Sequence, residues 1–235
     1  MTEIAIAFDV ESLDRALVLE AELGEGPELA KVGLRLFTHA GPEVVRVLRA
    51  RGRRVFLDLK LHDIPNTVHG AAAEAARLGA ELITVHALGG PAMIAAAVEG
   101  AASVGKETGV VAVTLLTSHE PDGLPPGFQR PFLLHRTLAE MLTMAERAGA
   151  RGIVCSAADL PGIRELHPAP FFAVTPGIRP AGLPAHDQRR VTSVREAVRL
   201  GSSLIVVGRA ITGAEDPHAA LEEVRAECAA TASLG

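Results

Sequence analysis

Eight short apolar runs, separated by longer stretches of mixed polarity, constrain the fold of this 235-residue chain more than any other feature. The runs, each of which predicts a β-strand, cover residues 4–8, 29–32, 55–59, 82–85, 110–115, 153–155, 171–174 and 204–207. Apolar residues recur at helical spacing in the intervals, and the clearest helix predictions cover 43–50, 68–78 and 133–148. The chain therefore alternates strands with helices.

This alternation is typical of parallel βαβ units. The strands are continuously apolar, as expected for strands that are covered on both faces of a sheet. Eight units in roughly 210 residues favour a closed (β/α)8 barrel, the TIM barrel, over an open sheet. No linker or change in composition divides the chain, so we predict one α/β domain over residues 1–235.

The composition narrows the class of partner. A net charge of −5 disfavours a nucleic-acid surface. No apolar run approaches the roughly 18 residues of a membrane span, and no charged-then-apolar signal segment opens the sequence. Two cysteines, Cys155 and Cys228, are too few and too far apart for a disulfide framework or a zinc site. We expect a cytoplasmic protein without membrane or nucleic-acid partners.

Polar residues stand at or just after the end of each predicted strand. In a (β/α)8 barrel these ends form the active-site face, so a repeated pattern around the ring predicts a site. The residues concerned are Asp9, Lys31, Asp58, Lys60, His86, Thr117, Ser156, Arg179, Gln188, Gly208 and Arg209. Two long loops, at 118–131 and 176–190, follow the fifth and seventh strands, and the first is a candidate flap.

The third strand carries the densest charge. The chain has 20 arginines but only three lysines, and Lys60 stands between Asp58 and Asp63. Asp58 and Lys60 are two residues apart, so a strand presents them on the same side, whereas Asp63 must reach the site from the loop. A structural ion pair is the alternative for any one charge, but burying several is costly unless they pair well.

Two further groups suggest binding or metal chemistry. Gly208 and Arg209, with Arg179 and Gln188, resemble the phosphate grip that barrels build after strands seven and eight; a surface arginine is the alternative. The histidines at 62, 69 and 86 fit no compact metal-ligand set, so we predict no metal site. His86 is a further candidate for ligand contact.

Motifs across nearly the whole chain resemble the bacterial branch of the orotidine 5'-phosphate decarboxylase family. They are 8–9 (FD), 31–33 (KVG), 56–67 (FLDLKLHDIPNT), 85–87 (VHA), 116–118 (LTS), 154–157 (VCSA), 175–180 (TPGIRP), 187–190 (DQRR) and 208–209 (GR). The long third-strand motif is the most specific of them. The resemblance implies a barrel homodimer that converts orotidine 5'-phosphate to UMP and carbon dioxide without cofactor or metal.

The resemblance also implies residue roles. Lys60 would donate a proton to C6 of the pyrimidine, and Asp58 would lie against the substrate carboxylate. Lys31 and Asp63 would complete an alternating Lys-Asp-Lys-Asp array. Asp63, Ile64 and Thr67 would enter the active site of the neighbouring subunit. The remaining substrate contacts would be Asp9 and Lys31 at the ribose, Thr117 at the pyrimidine, and Arg179, Gln188, Gly208 and Arg209 at the phosphate, with His86, Ser156 and Pro176 as further candidates.

Two alternatives stay open from the sequence. Magnesium-dependent 3-keto-L-gulonate 6-phosphate decarboxylase and hexulose-6-phosphate synthase share the D-x-K-x-x-D pattern on the same barrel. These enzymes need a carboxylate metal ligand on strand two. This chain has Lys31 there, and its positive charge would repel a bound metal ion. A non-catalytic phosphate-binding barrel is the other alternative, although Lys31, Asp58, Lys60 and Asp63 are all present.

Overall fold

The computed structural model describes residues 2–105, 107–116, 133–179 and 192–232. Its strands are β1 (Glu3–Ala7), β2 (Leu29–Gly33), β3 (Arg54–Leu61), β4 (Leu82–His86), β5 (Gly109–Val113), β6 (Gly152–Val154), β7 (Phe172–Arg179), β8 (Thr192–Ser193) and β9 (Leu204–Val207). Its helices are α1 (Leu13–Leu23), α2 (Leu34–Ala40), α3 (Glu43–Ala50), α4 (Pro65–Arg77), α5 (Gly90–Ala102), α6 (Leu134–Arg147), α7 (Leu160–Leu166), α8 (Val194–Arg199), α9 (Arg209–Thr212) and α10 (Pro217–Ala232).

Eight of the strands close into a parallel barrel. Neighbours follow chain order from β1 to β7, and β9 pairs with both β7 and β1, which completes the ring. The two-residue β8 lies outside this ring and pairs in parallel with the last two residues of β7, Ile178 and Arg179. The predicted (β/α)8 barrel is therefore confirmed, and all strand ends of one polarity meet at one mouth.

The alternation of side chains along each strand builds two apolar layers. On β1, Ala5 and Ala7 point into the barrel, where they pack with Phe56 of β3. Ile4 and Ile6 of the same strand face the helices and join the larger outer core. Because the residues inside the barrel are small, space remains above Phe56. This space is the lower part of the cavity described below, and Ala7 and Phe56 line it.

The strand β3 is irregular where it carries its charges. Between the pairs Leu57–Ile83 and Leu61–Val85, β3 advances four residues while β4 advances two. Because the bulge adds two residues, the alternation of faces is preserved, and Leu57 and Leu61 both pack in the outer core. Within this bulge Lys60 has φ 51°, the one positive φ of a non-glycine residue in the described ranges.

The predicted segment boundaries differ from the structure in instructive places. The strand β7 continues to Arg179, so this arginine ends the strand rather than lying in the loop after it. Helix α4 begins at Pro65 rather than at Val68, because a proline is well tolerated in the first helical turn. The predicted loop 118–131 and most of the second loop lie outside the described residues.

An ion-pair cluster occupies the amino-terminal end of the barrel. Arg54, the first residue of β3, donates to Glu3 at 2.8 Å and, through Nε, to Glu81 at 2.8 Å. Charged residues at this end of a barrel serve stability rather than chemistry, because the active site lies at the opposite end. Within the described part of the chain, no helix combines the length and apolar character required to cross a membrane.

Candidate active site

A cavity of about 490 Å³ opens at the carboxyl ends of the strands. Eight residues that the sequence predicted for the site line it: Asp9, Lys31, Asp58, Lys60, Pro176, Arg179, Gly208 and Arg209. Its apolar wall includes Ala7, Phe56, Val113, Val174 and Val206. The cavity therefore combines an apolar lining with convergent charges, the usual character of a small-molecule site.

Four charges form a chain on one side of this cavity. Lys60 Nζ lies 2.8 Å from Oδ1 of Asp58, and Lys31 Nζ lies 3.5 Å from Oδ2 of the same carboxylate. Lys31 Nζ also lies 3.3 Å from Oδ1 of Asp9. Charges thus alternate from Asp9 through Lys31 and Asp58 to Lys60. Lys31 is 8 % exposed, whereas the side chain of Asp9 is 59 % exposed and faces the opening.

The two lysines keep Asp58 ionised. Burial alone would raise the pKa of this carboxyl, but the positive charges of Lys31 and Lys60, with hydrogen bonds from Lys60 and Thr84, outweigh it. The pKa of Asp58 therefore lies below its ordinary value of 3.8. At neutral pH the cavity presents a fixed carboxylate between two ammonium groups.

Strand pairing and one glycine bring these charges together. Gly33 of β2 pairs with Asp58 of β3. Lys31 precedes Gly33 by two residues on β2, so its side chain points into the barrel on the same side as Asp58. A Cβ atom at Gly33 would lie 2.8 Å from Oδ1 of Asp9 and 3.1 Å from Nζ of Lys31. Glycine at this position therefore clears the volume that the ion pair of Asp9 and Lys31 occupies.

A second group of residues lines the far side of the cavity. In the ring of eight strands β7 lies four positions from β3, hence diametrically across from it, and β9 is its neighbour. Arg179, 7 % exposed, ends β7, while Gly208 and Arg209 follow β9. The cavity therefore has two charged ends, with the alternating array of Asp9, Lys31, Asp58 and Lys60 at one and the two arginines at the other.

Sequence reasoning missed two residues that border the charges. Thr84 of β4 donates its hydroxyl to Oδ1 of Asp58 at 3.0 Å and accepts from the backbone N–H of Lys60 at 2.7 Å. Arg35, at the start of α2, lines the cavity and lies 3.5 Å from the backbone oxygen of Asp9. The signal for Thr84 was a single hydroxyl in an otherwise apolar strand.

Several predicted residues do not join the cavity of the single chain. Asp63, Ile64 and Thr67 are exposed and absent from its lining, and the Asp63 carboxylate accepts from the N–H of Ile64 at 2.6 Å. His86 stacks on His62 with ring centroids 5.4 Å apart.

The remaining predicted contacts have mixed outcomes. Ser156 is buried beside Cys155, which lines the cavity, but Ser156 is not itself part of the lining. Thr117 and Gln188 lie outside the described residues. Among the residues that the structure describes, His, Cys, Asp and Glu side chains form no group of three or more that could hold a metal ion.

Comparisons with known proteins agree with this geometry. The model of the "Orotidine 5'-phosphate decarboxylase / HUMPS family" matches residues 2–224. Orotidine 5'-phosphate decarboxylase of Cutibacterium acnes is 44 % identical over 225 residues, covering 96 % of this chain and 95 % of the relative. The enzyme of the same name from Synechococcus sp. (strain WH7803) is 48 % identical over 226 residues, covering 92 % and 91 %.

A solved structure has the same fold. The crystal structure of orotidine 5'-phosphate decarboxylase from Lactobacillus acidophilus superposes with a TM-score of 0.85 at 36 % sequence identity. The match covers 97 % of this chain and 99 % of the crystallised chain.

Proposed function

Because the chain belongs to the orotidine 5'-phosphate decarboxylase / HUMPS family, we propose that it is a carboxy-lyase that converts orotidine 5'-phosphate to UMP and carbon dioxide in pyrimidine biosynthesis. The observation that carries the proposal is the buried Asp58 carboxylate, held between the ammonium groups of Lys31 and Lys60 at the barrel mouth. The reaction needs a fixed cation beside a carbon that loses its carboxylate, and this arrangement supplies one.

The chemistry proceeds from the charges of Asp58 and Lys60. Decarboxylation breaks the bond between C6 and the carboxylate, and the electron pair stays on C6 because no ring carbonyl is placed to delocalise it. The Lys60 ammonium stabilises that carbanion and then transfers a proton to C6, which gives UMP and a neutral amine that regains a proton from water. Arginine could not take this role, because it does not release a proton at a useful pH.

The Asp58 carboxylate repels the carboxylate of the bound substrate, and this repulsion is absent once carbon dioxide has left. Two carboxylates about 4 Å apart repel each other by roughly 4 kcal/mol at an effective dielectric constant of about 20. This repulsion disappears as carbon dioxide leaves, while the attraction between Lys60 and the carbanion grows. Both changes favour the transition state over the bound substrate.

The rest of the cavity holds the rest of the substrate. Asp9 and Lys31 bind ribose hydroxyls, and Arg179, Gly208 and Arg209 bind the phosphate, with Pro176 as a further contact. By the family resemblance, Gln188 would join the phosphate contacts, Thr117 would contact the pyrimidine, and His86 and Ser156 would be further contacts from outside the lining of the single-chain cavity. The distance across the barrel between β3 and β7 separates the phosphate from the reacting carbon. Binding energy from the phosphate can then order the site and close it over the substrate.

The active unit is a homodimer in this proposal, with Asp63, Ile64 and Thr67 entering the site of the neighbouring subunit. Residues 62–67 form a continuous exposed segment after β3, and Ile64 in its middle is 67 % exposed. An exposed isoleucine beside an exposed carboxylate is suited to a protein interface. In the dimer Asp63 would extend the charge array beyond Lys60.

A magnesium-dependent reaction on the same barrel is the competing activity. The ammonium of Lys31, 3.5 Å from Asp58 Oδ2, stands where a divalent cation would need to approach that carboxylate. We therefore propose that no metal or cofactor takes part. We also assign residues 1–235 to one catalytic domain in the cytoplasm, consistent with the free thiols of Cys155 and Cys228.

An assay with and without chelator tests this function. Metal-free protein should consume orotidine 5'-phosphate, followed by its ultraviolet absorbance, at the same rate in EDTA as in added magnesium. Activity that appears only with magnesium would favour the competing metal-dependent reaction. Absence of turnover under both conditions, in folded protein that binds UMP, would favour the non-catalytic barrel.

A further inference from the structure

We propose that Thr84 is a positioning residue, which fixes both the backbone of Lys60 and the carboxylate of Asp58 for proton transfer to C6. This inference rests on the proposed decarboxylation. The hydroxyl of Thr84 bonds both the main chain of the proton donor and the side chain that orients its ammonium.

The direction of each hydrogen bond is set by the donors available. The Lys60 N–H can only donate, so Thr84 Oγ1 accepts it at 2.7 Å. The ionised Asp58 can only accept, so the single hydroxyl proton of Thr84 goes to Oδ1 at 3.0 Å. Lys60 Nζ donates to that same oxygen at 2.8 Å. These bonds close a ring that starts at the backbone of Lys60 and returns to its side chain.

The ring coincides with the unusual backbone of Lys60. Residues with a Cβ atom seldom adopt a left-handed backbone conformation such as the φ of 51° at Lys60. A long side chain such as that of lysine does not offset the cost of this conformation through a local contact. The bulge between Leu57 and Leu61 removes the regular pairing of β3 with β4 at this point. The threonine hydroxyl accepts the N–H of Lys60 within the bulge, and so holds the strained residue in place.

A buried hydroxyl at Thr84 would cost folding free energy if it made no hydrogen bonds. Thr84 is 1 % exposed and lies on a strand whose neighbours Ile83 and Val85 are apolar. Valine has nearly the same shape and would avoid a buried hydroxyl, but it could neither accept from Lys60 nor donate to Asp58. Because Oδ1 is held by Thr84 and Lys60, the other oxygen is directed toward Lys31.

The expected defect lies in the proton-transfer step rather than in binding. Thr84→Val should lower kcat by about 10- to 100-fold, the range for a lost hydrogen bond to a charged group. The phosphate end of the cavity is across the barrel, so KM and the dissociation constant of UMP should change by less than about threefold. Thr84→Ser keeps the hydroxyl and should stay within about threefold of wild-type kcat.

The experiment compares Thr84→Val and Thr84→Ser with wild type and with Thr175→Val. Thr175 is also a buried strand threonine with a bonded hydroxyl, but its partner is Ser202, so this control should retain wild-type kcat. Exchange of the UMP C6 proton in D₂O, followed by NMR, reports Lys60 proton transfer without carbon dioxide loss. Melting temperature and UMP affinity separate misfolding from mispositioning.

The proposal predicts that Thr84→Val slows both kcat and C6 exchange while UMP still binds, and that Thr84→Ser restores both. Equal rates in Thr84→Val and wild type, or equal defects in Thr84→Val and Thr84→Ser, would overturn it. If Thr84→Val does not fold, Thr84→Ala takes its place with the same expected result. Wild-type protein that does not decarboxylate orotidine 5'-phosphate would overturn the proposed function itself, which is a separate outcome.

Discussion

The ammonium of Lys60 lies 2.8 Å from Oδ1 of Asp58, two residues earlier on the same barrel strand. The pair is not a structural ion pair closed to solvent, because both residues line the cavity at the barrel mouth. In the proposed reaction, a substrate carboxylate beside Asp58 would meet a negative charge, and the carbon behind it would meet the positive charge of Lys60. Once the carboxylate had left as carbon dioxide, Lys60 would be in place to supply the missing proton.

The dimer proposal predicts complementation between inactive subunits. In a mixture of Lys60→Ala and Asp63→Ala protomers, one of the two sites in each mixed dimer carries neither substitution. Random 1:1 exchange should therefore restore about a quarter of wild-type activity, since half of the symmetric dimers are mixed. The measurement is UMP formation before and after subunit exchange.

The matched control for complementation mixes Lys60→Ala with Asp58→Asn. Both residues belong to the same subunit's site, so no mixed dimer contains an intact site and no activity should return. Recovery in both mixtures, or in neither once exchange is demonstrated, would show that Asp63 does not act across the interface.

Arg209 should discriminate a phosphorylated substrate from its nucleoside. Arg209→Ala should lower kcat/KM for orotidine 5'-phosphate by about 10- to 100-fold, since charge-assisted bonds to phosphate are lost. The value for orotidine, which has no phosphate, should change by less than about threefold. Arg136→Ala removes the same charge from an exposed pair with Glu140 on α6 and should change neither value. Equal losses for both substrates in Arg209→Ala would remove the arginine from the phosphate site.

The ion pair of Arg54 and Glu81 should contribute stability that disappears in acid. Hydrogen bonds from Arg54 lower the pKa of Glu81 below its ordinary value of 4.5, although partial burial opposes them. A lowered folded-state pKa stabilises the protein above pH 4.5, and this contribution is lost as the pH falls through the folded-state value. Glu81→Gln should cost about 1 kcal/mol at pH 7, or about 2–4 °C in Tm.

Thermal unfolding at two pH values checks this prediction. The difference in Tm between Glu81→Gln and wild type should shrink at pH values well below 4.5. Glu140→Gln, which alters the exposed pair with Arg136, should change Tm little at either pH. A difference that grows in acid would show that the sign of the linkage is wrong.

The barrel could be predicted because its strands are short, apolar and evenly spaced, whereas the ends of the elements could not. The apolar run at 171–174 stops at Val174, but β7 continues through Pro176 and Gly177 to Arg179. Pairing with β8 and β9 supports this extension, and pairing is not visible in local hydropathy. The bulge at Lys60 could not be predicted for the same reason. Asp58 and Lys60 nevertheless both face the cavity, as predicted, because the bulge adds an even number of residues to β3.

The candidate site was predictable where charges interrupt apolar strands. Asp58, Lys60 and Lys31 stand out in this way, and they lie together in the structure. Thr84 did not, because one hydroxyl in a strand is common, and its role depends on the register of β4 against the bulge. Asp63 lies outside the cavity of the single chain, and its predicted role requires a dimer.

The rate of UMP formation by Lys60→Ala tests the central claim most directly. Removing the proton donor should lower kcat by at least about 1,000-fold, while UMP binding and Tm show that the site and fold are intact. Lys60→Arg keeps a positive charge but cannot release a proton, so it should remain similarly impaired. Near-normal turnover by either variant would contradict the assignment of Lys60 as the group that protonates C6.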